Sequence, residues 1–143
     1  VIFSTPLGAL SDRLGRKAII NTGWAIYALV YLAFGLLDRF PAHLQLPLTF
    51  VLFGVYALYY AFCEGAEKAF VSDVVRPEQR GSAFGMFNFA VGLSALPASV
   101  LFGLLYRSFG PLVAFGTGAG IACVAMVLFV VFVRGESNPY PNE

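Results

Sequence analysis

Chemically capable residues are concentrated in one short stretch of this sequence. Glu64, Glu67 and Lys68 interrupt a run that is uncharged over 48–63 and remains apolar as far as Val71. A charge at the centre of a bilayer costs at least about 2.5–3.5 kcal/mol, so groups like these must face protein or water. Glu64 lies nine residues before Asp73, about 14 Å along a helix, which is close to the midplane of a membrane. Two uses suit this pattern. Glu64 and Lys68 stand at i and i+4, in the favourable order for an ion pair along a helix, and such a pair neutralises itself. Alternatively, one carboxyl takes up and releases a proton, or binds a substrate. Lys68 is only five residues from Asp73, about 7.5 Å. It is therefore expected to snorkel toward the headgroups, leaving Glu64 as the better proton carrier. If Lys68 turns along the helix instead, Glu67 becomes the spare carboxyl. Asn88, at a similar depth in the next apolar run, is placed to hydrogen-bond to either carboxyl.

Other chemistries lack their residues. There is no Ser-His-Asp order, no glycine loop before Lys-Ser or Lys-Thr, and no Cys/His cluster. His43 stands alone between Pro41 and Pro47, and Cys63 and Cys123 lie in apolar runs as small hydrophobes. No enzyme, metal site or cofactor is expected. A formal net charge of +1 offers no overall attraction for nucleic acid.

The elements that position these groups follow from hydropathy. Of the 143 residues, 59% are hydrophobic and 12% charged, against about 25% charged in an ordinary soluble domain. Spanning a hydrocarbon core of about 30 Å takes roughly 20 apolar residues in a helix. Four stretches qualify: 18–37, 48–72, 82–106 and 111–133. Polar connections separate them at 38–47, 73–81 and 107–110, and a polar tail occupies 134–143. Backbone groups in lipid must be satisfied within their own segment, so these are helices. Residues 1–7 are apolar but too short to span, and are expected to be the end of a helix that begins earlier. The fold class is all-α, a polytopic transmembrane helix bundle with the lipid bilayer as its solvent.

Basic residues set the orientation. Arg13, Arg16, Lys17, Lys68, Arg76, Arg80 and Arg134 fall on one side, and Arg39 and Arg107 on the other. This puts 8–17, 73–81 and the tail in the cytoplasm, and the inner (plasma) membrane of a bacterium is the expected location.

Residues 8–17 read Gly8-Ala9-Leu10-Ser11-Asp12-Arg13-Leu14-Gly15-Arg16-Lys17. Gly8 and Gly15 permit a tight turn and close helix approach. Asp12 suits a helix N-terminus, and Arg13, Arg16 and Lys17 suit an anionic inner leaflet. The segment resembles the signature cytoplasmic loop of the major facilitator superfamily, Gly-x-Leu-Ala/Ser-Asp-Arg/Lys-x-Gly-Arg-Arg/Lys, at every specified position. Pro77-Glu78-Gln79-Arg80-Gly81 resembles that family's loop before the fifth or eleventh helix.

The resemblance implies part of one six-helix half of a twelve-helix fold. The short tail, and the absence of Arg-x-x-Gln-Gly from the second full span, favour the C-terminal half, with the spans as helices nine to twelve. Asp12 would lock the two halves together, so the partner is the missing half of the same transporter. The implied function is secondary active transport of a small-molecule substrate by alternating access, proton-coupled through the Glu64/Glu67/Lys68 group. The alternative is a non-transporting membrane receptor or assembly partner of the same fold.

Three further features are packing residues first and functional ones second. Gly81, Gly85, Asn88, Gly92, Ala95, Ser99 and Gly103 form a small-residue stripe suited to close helix contact. Pro97 removes a backbone hydrogen bond and is a candidate hinge. Trp24, Tyr27, Tyr31, Tyr56, Tyr59 and Tyr60 suit core or lipid contact.

Overall fold

The computed structural model describes residues 16–133. Helix α1 spans Arg16–Gly35, α2 Ala42–Val74, α3 Arg80–Phe109 and α4 Pro111–Phe132. Short 3-10 turns at Leu37–Arg39 and Pro77–Gln79 precede α2 and α3. All four helices are long and apolar enough to cross a membrane, as the hydropathy predicts. The described residues contain no strand.

α2 and α3 exceed their apolar runs because caps, not hydropathy, end a helix. α2 begins at Ala42, six residues before the expected start at 48. Pro41 sits at its N-cap with φ −55° and ψ 143°, and Leu44 N–H donates to Pro41 O at 2.8 Å. Ala42, Leu44, Gln45 and Leu46 are good helix formers, so the first turns form although they are too polar to register as a span. Pro47 falls inside the helix, where its missing N–H leaves the His43 carbonyl without its usual donor. At 33 residues α2 is about 50 Å long, well beyond a hydrocarbon core of about 30 Å. α3 likewise takes in Arg80 and Arg107 at its two ends and runs unbroken through Pro97.

A single residue joins α3 to α4. Gly110 has φ +84°, a left-handed conformation that other residues adopt at a cost. Its N–H donates to Tyr106 O at 3.0 Å, and Pro111 takes the first helical position of α4.

α1 is the central element, packed on α4 on one side and α2 on the other, while α3 rests on α4 and only lightly on α2. The buried hydrophobic residues are Ile20, Ala28 and Val30 of α1, Cys63 and Ala66 of α2, and Ala114 and Ala119 of α4. Small side chains dominate because close helix approach replaces hydrophobic burial as the packing device in lipid. α1 comes close to α2 at Gly23, where an added Cβ would collide with Cys63 Sγ. α3 buries none of its residues. A Cβ added at Gly81, Gly85, Gly92 or Gly103 would meet nothing within 4 Å, so the stripe expected to pack helices has no partner among the described residues.

Candidate functional site

α2 sorts its charged side chains onto two faces. On the face toward α1, Cys63 and Ala66 are buried and Glu67 is half-buried. Trp24 Nε1–H of α1 donates to Glu67 Oε1 at 3.0 Å. The Trp24 indole also packs against Phe129 of α4, with centroids 5.4 Å apart, and Phe129 meets Phe70 of α2 at 5.5 Å. Glu67 is thus held where α1, α2 and α4 converge. One turn earlier on the same face, Cys63 Sγ–H points at Ile20 O, 4.0 Å distant.

The other face carries Glu64 and Lys68. Lys68 Nζ lies 2.7 Å from Glu64 Oε1, and the two side chains are 50% and 44% exposed respectively. This corrects the expectation that Lys68 snorkels toward the headgroups. One helical turn brings the ammonium to the carboxylate without displacing either backbone, and separating them would leave two unpaired charges in an apolar span. Glu67 is not the spare carboxyl either, since it has Trp24. Asn88 does not join the group: it is exposed on α3 and makes no hydrogen bond among the described residues. Its depth along the helix matches, but α3 leans on α4 rather than on α2.

The signature loop is described only at its end. Gly8, Asp12, Arg13 and Gly15 lie outside the described residues, and Arg16 enters as the first backbone position of α1. Lys17 Nζ donates to Val133 O at 2.7 Å. α4 has no basic residue in its own last turn, so Lys17 supplies a cation to the negative end of that helix and ties the start of α1 to it.

Two of these contacts escaped the sequence reading. An indole N–H in an apolar span needs an acceptor, which was the available pointer to a Trp24–carboxylate bond. Nothing local pointed to Val133, because the partner carbonyl is 116 positions away. Above the charged stretch, Tyr27, Tyr31, Tyr56 and Tyr59 interlock between α1 and α2 with centroid separations of 4.1–6.5 Å. Tyr60 is exposed on the Glu64 face.

Four spanning helices with a charged pair on an exposed face define an integral membrane protein built as an all-helical bundle. The chain belongs to the Major Facilitator Superfamily, whose defining pattern matches residues 1–143. It is 37% identical over 128 residues to an uncharacterised MFS-type transporter of Methanocaldococcus jannaschii. That match covers 90% of this chain and 30% of the relative, so the chain spans about a third of the relative's length. No solved structure matches it.

Proposed function

We propose that the intact protein carries a small solute across the plasma membrane by alternating access, driven by a proton gradient. The observation that supports this most is the Glu64–Lys68 pair at 2.7 Å on an exposed face of α2, in a chain whose family and relative are transporters. An intramembrane ion pair turned away from its own bundle is costly unless it faces water or another part of the protein. Protonation of Glu64 removes the negative charge and releases Lys68 to another acceptor. A single proton therefore changes the charge pattern of the face on which the missing half would close. Glu67, fixed by Trp24, positions α2 while Glu64 carries the coupling proton. The loop 8–17, 73–81 and the tail lie in the cytoplasm in this reading, with Asp12 locking the two halves there.

The test is uptake by the intact protein in sealed proteoliposomes, with substrates screened under an imposed pH gradient. Accumulation of at least one solute, abolished by a protonophore, is the expected result. Uptake that never exceeds equilibration for any solute transported would remove the coupling claim. In the same system Asp12→Asn should leave abundance near normal and slow transport. A parallel fall in abundance and rate would make Asp12 a folding residue.

A further inference from the structure

A second polar-apolar site lies at the other end of the bundle from Lys17 and Val133. A half-open cavity of about 450 Å³ sits beside the Leu37–Arg39 turn, between the end of α1, the first half of α2, the end of α3 and the start of α4. Six of its ten lining residues are aromatic. The rings brace one another across three helices. Phe34 stacks on Phe115 at 5.6 Å and meets Phe53 edge-on at 5.2 Å. Tyr31 meets Phe115 at 5.5 Å and Tyr56 at 6.5 Å. Such mutual contact fixes the rings before any ligand arrives, which lowers the ordering cost of binding.

Asp38 also lines this cavity. It is exposed, and among the described residues it makes no hydrogen bond or ion pair. Among the described residues no cationic side chain lines the cavity: neither Arg39, next in sequence, nor Arg107 contributes to the wall. The polar groups there are a carboxylate, hydroxyls and the negative faces of aromatic rings, all of which attract positive charge. A neutral apolar guest would use the rings but leave Asp38 without a role, and an anion would be repelled by it.

We propose that this cavity binds an organic cation, a protonated or quaternary amine with an apolar body. Its charge would lie beside Asp38 and its body against Phe34, Phe53 and Phe115. Its α2 wall, at Thr49, Phe53 and Tyr56, ends two turns before Glu64, and the proposal does not depend on the transport reading.

Binding is measured on the intact protein in detergent, without any gradient, using radiolabelled tetraphenylphosphonium. Tetraphenylborate, of the same shape and opposite charge, is the comparison. Saturable binding of the cation is expected, preferred over the anion by about tenfold or more. Asp38→Asn, an exposed position that should not disturb folding, is expected to weaken cation binding about 5–10-fold, the size of one close charge contact. Phe34→Leu keeps apolar volume but removes a ring face, and should weaken it several-fold. Glu78→Gln, at an exposed position of the Pro77–Gln79 turn, should bind as the unsubstituted protein does. Equal binding of the two ions, no saturable binding, or cation binding unchanged by Asp38→Asn would each overturn the proposal. Loss of binding in Glu78→Gln with retention in Asp38→Asn would place the cation elsewhere and overturn it equally.

Discussion

The two faces of α2 carry one carboxylate each and treat it oppositely. Glu67 looks inward, and its partner is a neutral indole N–H from another helix. Glu64 looks outward, and its partner is a cation from its own helix one turn away. An inward bond between helices fixes their relative position, and breaking it leaves a half-buried carboxylate without a donor. An outward bond within one helix fixes nothing beyond that helix. It can open and close without repacking the core. The contrast teaches that depth in the membrane does not by itself assign a function to a charge. What its partner is attached to does.

The comparison is broken most severely by closing the gap that lets α1 and α2 meet. Gly23→Val places a branched side chain against Cys63 Sγ and should cost about 3 kcal/mol or more, the top of the range for overpacking, because the added Cβ itself collides. The readout is the thermal unfolding midpoint of the intact protein in detergent. Cys63→Ala should restore part of the loss in the double variant, and additive effects would show that the two residues do not collide.

Next in size is the bond between the helices. Trp24→Phe removes the donor to Glu67 and should cost about 1.5–3 kcal/mol, the range for hydrogen bonds to charged groups. Glu67→Gln keeps a carbonyl oxygen as acceptor and should cost less than Trp24→Phe. If Glu67→Gln is the more damaging of the two, the carboxylate has a role beyond holding Trp24.

A smaller effect is expected at the Lys17 contact. Lys17→Met keeps the apolar stem but loses the bond to Val133 O, and should lower stability by about 0.3–1 kcal/mol, as for a cation at a helix end. An unchanged midpoint would show that the α4 terminus is held by other means. At the outward pair both side chains are about half exposed, so Lys68→Met should shift the unfolding midpoint least of all.

How far the sequence discloses this arrangement depends on the range of each interaction. Four spanning helices are legible because about 20 apolar residues in a row admit few alternatives in lipid. The family is legible because residues 8–17 match its loop position by position. Helix ends are not, because the start of α2 depends on Pro41 and on the helix-forming residues after it, which hydropathy scores as loop. The Glu64–Lys68 pair was one of two outcomes allowed by spacing, and choosing between them required the actual side-chain direction. The Trp24–Glu67 and Lys17–Val133 contacts depend on which helices are neighbours, as does the failure of Asn88 to join the carboxylates. Helix adjacency is a three-dimensional property that periodicity within one helix does not carry.

The measurement that bears most directly on the account compares Glu64→Gln with Glu67→Gln in the intact protein, reconstituted into proteoliposomes with a transported solute. Two rates are recorded: accumulation against a gradient driven by imposed pH, and exchange at equal solute concentrations. The account predicts that Glu64→Gln loses accumulation and keeps exchange, while Glu67→Gln keeps both modes and shows only reduced thermal stability. Full accumulation by Glu64→Gln, or loss of coupling in Glu67→Gln alone, would contradict the assignment of the outward carboxylate as the coupling group.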